Sequence, residues 1–126
     1  MSTREIREAC KKLEITADDV LILGGGSSRI NGYYRQSISS DKLKKLGLKF
    51  AVQYCKDLKV FIAWNLQRSE LPTRTKLSVK AVDVENNLGD GIGLIGKHVE
   101  YSGWNEENVL VFKPNLIEDF LIKYVK

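Results

Sequence analysis

The chain has 126 residues, 43% of them hydrophobic and 29% charged, with a net charge of +4. That length fits one globular domain over 1–126 with a real core, and no apolar run approaches the roughly 18 residues of a membrane-spanning helix. Met1–Glu14 is charged and amphipathic rather than apolar, so secretion and membrane insertion are disfavoured and a cytoplasmic location is expected.

Ser2-Thr3-Arg4-Glu5 reads as a capping box, and Ile6, Cys10 and Leu13 recur at helical spacing, which predicts a helix over 3–13 lying on the outside of a sheet. Val20-Leu21-Ile22-Leu23 is readable as a short helix capped by Thr16, Asp18 or Asp19, or as a buried strand; four residues do not separate the two periods. Gly24-Gly25-Gly26 ends whichever it is. Tyr33–Ser39, rich in aromatic and hydroxyl residues, predicts a strand. Ser40-Asp41 then caps a short basic helix over Lys42–Leu46, stopped by Gly47. Leu48–Tyr54 alternates as a strand, and Leu58–Trp64 predicts a central one, because Val60-Phe61-Ile62-Ala63 is apolar on both faces. Asn65–Thr75 contains Pro72 and no periodicity, a loop of about eleven residues and long enough to suspect function.

Lys76–Lys80 alternates again, but the apolar phase shifts at Ala81-Val82, which requires a bulge or a change to helix. Asn86–Gly93 is turn-rich. His98–Tyr101 and Asn108–Phe112 predict a hairpin around Ser102–Glu107. Pro114-Asn115 opens a closing helix in which Leu116, Ile117, Phe120, Leu121, Tyr124 and Val125 make two adjacent ridges. The expected fold class is α+β: a curved, largely antiparallel sheet or pseudobarrel of about five to seven strands, with N- and C-terminal helices packed on it.

Cys10 and Cys55 have no partner at ligand spacing and His98 is the single histidine, so a zinc site would lack most of its ligands and both cysteines are expected in the core. A histidine-dependent nucleophile would have to be built on His98 in a hairpin that nothing else singles out. Asp83 and Glu85 are two apart but no Glu-x-Lys follows, as a nuclease metal site would want, and Glu106-Glu107 reads as a solvated turn. No catalytic residue, metal or cofactor is expected. Leu23–Gly32, with Gly24-Gly25-Gly26-Ser27-Ser28-Arg29, resembles the glycine-rich signature of sugar-phosphate nucleotidyltransferases, whose small residues let backbone amides approach a phosphate. Ile30-Asn31-Gly32 stands where that signature has Met-Gly, and its lysine is missing; the alternatives are a plain flexible loop or a clamp beside a nucleic acid.

Charge is segregated along the chain. Residues 27–80 carry 12 Lys and Arg against 3 Asp and Glu, whereas residues 1–26 carry 4 against 5 and residues 81–126 carry 4 against 8. Taken singly, lysines such as Lys42, Lys44, Lys45 and Lys49 read as residues that simply solvate a helix or loop. A whole segment of one sign is what a phosphate-binding face needs, since counterion release scales with the cations set against the backbone. Within it Arg29, Arg35, Arg68 and Arg74 are planar forks for phosphate or guanine, Gln36, Asn65 and Gln67 suit adenine edges, and Tyr33, Tyr34 and Trp64 can stack on bases. Ser27, Ser28 and Lys76 complete the candidate DNA-binding set. The competing readings are a protein-interaction or structural subunit whose basic face meets an acidic partner and, behind it, a nucleotide-binding transferase-like enzyme.

Arg35-Gln36-Ser37-Ile38, Lys59–Asn65, Thr75–Val79, Asn108–Pro114 and the closing Phe120-Leu121 helix together resemble the DNA-recognition, methylase-associated or specificity, domains that accompany bacterial restriction endonucleases. The resemblance covers roughly residues 33–125 and leaves Met1–Gly32 outside. It implies a partner in double-stranded DNA, with or without a modified base, and a nuclease supplied by another domain or subunit.

Overall fold

Val60-Phe61-Ile62-Ala63-Trp64 has no charged side chain on either face, and such a strand suits only the middle of a sheet covered on both sides. In the computed structural model, which describes residues 2–16, 19–23, 29–38, 49–65, 75–89, 91–95 and 109–125, it is the central strand of a five-stranded sheet. The strands are β1 (Val20–Leu23), β4 (Phe50–Cys55), β5 (Val60–Asn65), β8 (Val109–Phe112) and β7 (Gly93–Ile95), in that spatial order. β1 runs parallel to β4, and every other neighbour is antiparallel. The ambiguous Val20–Leu23 is thus a strand, held on the sheet edge.

A second, three-stranded antiparallel sheet contains β2 (Arg29–Ile30), β3 (Tyr33–Ile38) and β6 (Thr75–Lys80) in that order. β2 and β3 are joined by Asn31-Gly32, with φ of +53° and +79°. Both central residues of a type I′ hairpin turn need positive φ, and Asn-Gly is its preferred pair. This local chemistry, and not a nucleotide site, accounts for the Ile30-Asn31-Gly32 stretch. The phase shift after Lys80 is resolved by a change to helix: α2 spans Ala81–Glu85, and the Ala81 N–H donates to the Gly32 carbonyl at 2.8 Å.

Each face of the five-stranded sheet is covered. On one lie α1 (Ser2–Lys12) and the C-terminal helical segment, which opens as a 3₁₀ turn (Pro114–Leu116), continues as α3 (Ile117–Phe120) and widens into a π turn (Leu121–Val125). Ile6, Ala9 and Cys10 of α1 and Ile117, Phe120, Leu121 and Val125 pack there on Phe50, Val52, Phe61, Ala63, Leu110 and Phe112. On the other face Tyr34 and Val79 of the small sheet, with Ala81 and Val84 of α2, cover Ala51, Cys55, Ile62, Trp64, Val109 and Val111. Strand alternation sorts adjacent residues of β4, β5 and β8 into these two layers.

α1 ends in a Schellman motif. The Ile15 N–H donates to the Cys10 carbonyl at 2.8 Å and the Glu14 N–H to that of Lys11 at 3.3 Å, with Glu14 left-handed at φ +58°. A glutamate occupies the position that glycine fills most easily.

The α+β class, the central strand and the helices at both termini agree with the sequence, and both cysteines are free and buried. The described strands number eight and divide between two facing sheets, rather than forming one curved sheet of about five to seven. Val109–Phe112 pairs with β5 on one edge and with Gly93–Ile95 on the other. The expected helix over 42–46 and residues 98–101 themselves lie outside the described residues.

Candidate functional site

The register fixes where each basic connection attaches. Ile38 pairs with Thr75 at one end of the small sheet, and Phe50 pairs with Asn65 at one end of the central sheet. Segments 39–48 and 66–74 therefore both link these two ends, side by side in their attachment points. Lys42, Lys44, Lys45, Arg68 and Arg74 belong to them, against Asp41 and Glu70. The triple glycine leaves β1 at Leu23, opposite Gln53 and toward the other end of the sheet. The candidate set is thereby divided: Asn65 and Lys76 flank the basic connections, whereas Arg29 and Tyr33 lie by the far hairpin.

Individual side chains differ from the sequence expectation. Trp64 is fully buried at 0% exposure, so it is a core residue and not a stacking platform on the surface. Its strand is sandwiched, and position 64 faces the small sheet. Tyr33 is half-buried while Tyr34, pointing the opposite way, is fully buried. The Arg29 guanidinium pairs with Glu85 at 2.8 Å in a half-exposed bridge, so part of its charge is already met. Lys49 donates from Nζ to the Val125 carbonyl at 2.6 Å, tying the start of β4 to the C-terminal turn. Arg35 stands opposite Ser78, Gln36 opposite Leu77 and Lys76 opposite Ser37. Ser27, Ser28, Gln67, Arg68 and Arg74 lie outside the described residues.

A feature absent from the sequence-derived set lies between the sheets. Gln53 is 1% exposed, and alternation puts it between Ala51 and Cys55 on the face toward the small sheet. Its Nε2 and Oε1 and the Trp64 Nε1–H are buried without a protein hydrogen-bond partner, and the buried Tyr34 hydroxyl is left with the Cys55 thiol. The Tyr34 hydroxyl lies against the Cys55 thiol, a weak partner at best. Cys55 is the next same-face residue from Gln53 along β4, and Trp64 is diagonal to Gln53 across the β4–β5 pair. Gln53 thus stands between the other two. The signal was legible: Phe50-Ala51-Val52-Gln53-Tyr54-Cys55 is otherwise a two-face-buried strand, and one amide interrupts it.

Electrostatics separate this layer from the helical one. Burial pushes the Tyr34 phenol above its ordinary value, Cys55 and Asp57 add to the shift, and Arg29 opposes it. On the helical side, burial and then Asp19 push the Cys10 thiol up. An open groove between α1 and the C-terminal segment is lined by Glu5, Glu8, Lys12, Pro114 and Glu118, with Lys12 bridged to Glu118 at 2.9 Å. Its carboxylates make it a poor phosphate site. Among the described residues no group of three or more His, Cys, Asp or Glu could hold a metal ion, and no helix is long and apolar enough to cross a membrane.

No family model, curated protein or solved structure gives a significant match to the chain. The site therefore stands on its own geometry: the sheet ends where two basic segments attach side by side, and one buried amide, Gln53, in the apolar layer between the two sheets.

Proposed function

We propose that this chain is a DNA-binding specificity module of the kind that restriction–modification systems couple to a nuclease on another domain or subunit, working in the cytoplasm. The observation that carries the reading is the convergence of the two basic connections, 39–48 and 66–74, on the same pair of sheet ends. In this reading Lys42, Lys44, Lys45 and Lys76 position the module on phosphates, while Arg35, Gln36, Asn65, Gln67, Arg68 and Arg74 approach base edges. The rigid paired strands hold the ends of both connections, which lowers the ordering cost of binding. Ser27, Ser28, Arg29 and Tyr33, attached at the other end, form at most a separate flank.

Fluorescence anisotropy with short duplexes between 50 and 200 mM salt tests it. A face neutralising about six phosphates loses on the order of 10³ in affinity over that range. The double variant Arg68→Ala with Arg74→Ala is expected to weaken binding by about tenfold or more, since each base-reading arginine is worth roughly 1–3 kcal/mol. Binding that ignores salt, or survives the double variant unchanged, sinks the reading. Capture of an acidic protein in place of any duplex would support a protein-interaction subunit.

A further inference from the structure

Val20-Leu21-Ile22-Leu23 lies at one edge of the five-stranded sheet, and among the described residues only its β4 side is paired. An edge strand carries a row of open backbone N–H and C=O groups, and proteins commonly blunt such edges with lysine, proline or a bulge. β1 has neither charge nor proline. Beside it, an open cleft of about 350 Å³ lies between β1 and α1, and its lining includes Arg7, Cys10, Lys11, Ile15, Val20 and Ile22. Strand alternation gives the cleft Val20 and Ile22, while Leu21 and Leu23 turn to the opposite layer. We propose that this edge and cleft dock an extended segment of a partner protein, one that sets an aliphatic residue and, two positions on, an acidic residue over the cleft.

The charges on α1 select the acidic residue. Arg7 and Lys11 are exposed, four apart on one side of α1, and in no ion pair among the described residues, whereas Arg4 is held by Glu8 and Lys12 by Glu118. The neighbouring carboxylate, Asp19, is engaged in its own turn, where one oxygen accepts from the Thr16 N–H at 3.4 Å and from the Thr16 hydroxyl at 3.2 Å. The rim of the cleft is therefore basic, over an aliphatic floor of Ile15, Val20 and Ile22. A strand added to β1 turns every second side chain toward α1, so an aliphatic one fills the floor and the next on that face reaches the cations. Backbone bonds to β1 supply affinity and the two side chains supply selectivity, as in other strand additions. DNA has no backbone that pairs with a strand edge, and the basic segments 39–48 and 66–74 carry the same sign as Arg7 and Lys11. The inference stands apart from the DNA reading.

The probe is a blocked peptide, acetyl-Thr-Val-Thr-Glu-Thr-amide, titrated into the whole protein and followed by the backbone amide resonances of Val20–Leu23. Three further peptides carry lysine in place of the glutamate, or N-methyl groups on one or the other alternate set of residues. The parent peptide is expected to saturate and to shift the β1 amides. One N-methylated form should fail and the other bind, because only one edge of an added strand faces β1. The lysine peptide, and the variant Arg7→Gln with Lys11→Gln, should each weaken binding by about tenfold, with duplex affinity of the variant unchanged. No saturable binding up to about 1 mM, equal binding of both N-methylated forms, or indifference to the charge changes overturns the proposal. Slow hydrogen exchange at all four β1 amides of the free protein overturns it in favour of a segment of this chain on the edge. A dimer that dissociates in the double variant overturns it in favour of a second copy, and a loss of duplex affinity with peptide binding unchanged assigns Arg7 and Lys11 to nucleic acid instead.

Discussion

The two faces of the central sheet are made by the same strands and built to different rules. Toward the helices, Phe50, Phe61, Phe112 and Phe120 interlock, with Phe112 and Phe120 stacked at 4.6 Å and Phe50 set edge-on to Phe120 at 5.2 Å. Toward the small sheet, aliphatic side chains such as Leu21, Leu23, Ile62, Val109 and Val111 surround Tyr34, Gln53 and Trp64; the Gln53 amide and the Trp64 indole N–H are buried there with no partner among the protein groups, and the Tyr34 hydroxyl meets the Cys55 thiol. The first arrangement maximises apolar area and aromatic contact. The second gives up stability that an apolar layer of the same volume would supply.

Variants on the helical face should give the largest effects. Phe120→Ala removes the ring shared by three aromatic contacts, with Phe50, Phe112 and Tyr124, and is expected to cost about 3–5 kcal/mol in urea unfolding. A loss below about 1 kcal/mol would mean that the helical face is not the main source of stability. Both faces should weaken in alkali, and by separable routes. The Cys10 thiol and the Tyr34 phenol both have raised values in the fold, so the folded state keeps protons that the unfolded chain releases. Stability from this source is fully present below the ordinary values of 9.0 and 10.0 and is lost as pH climbs past them. Tyr34→Phe should flatten the decline above about pH 10, and Cys10→Ala the part that begins near pH 9. Identical alkaline profiles for wild type and Tyr34→Phe would show that the phenol is not closed off. Smallest is Glu14→Gly, outside both layers: it relieves a left-handed glutamate and should add about 0.5–1 kcal/mol. A loss there would mean that the Glu14 side chain has a role the cap geometry does not show.

Much of this architecture was legible in the sequence, because hydrophobic period speaks directly to layers. Val60–Trp64 announced a central strand, Leu116–Val125 a closing helix, and the broken phase at Ala81 a change of element. Sheet partners were less legible. Val109–Phe112 was readable as a strand, but its partners Gly93–Ile95 and β5 were not, because nothing in a buried apolar run says which strands take its two edges. The Asn31-Gly32 turn was readable but was hidden under a glycine-loop resemblance. At the candidate site, Trp64 at the end of an apolar strand carried no mark of whether its ring faced water. Gln53 did carry one, a lone amide in a doubly buried strand, and its significance emerges only when Tyr34 and Trp64 are seen on the same face.

The unfolding free energy of Gln53→Met tests most directly whether the inter-sheet layer gives up stability by burying an unpaired amide. Methionine matches the volume of glutamine and leaves no polar atom unpaired. If Gln53 is unpartnered as the structure shows, the variant gains about 1–2 kcal/mol in urea titration, with an unchanged slope. If it loses 1 kcal/mol or more, the amide already has its partners, the two faces of the sheet are both ordinary core, and the distinction drawn between them is wrong.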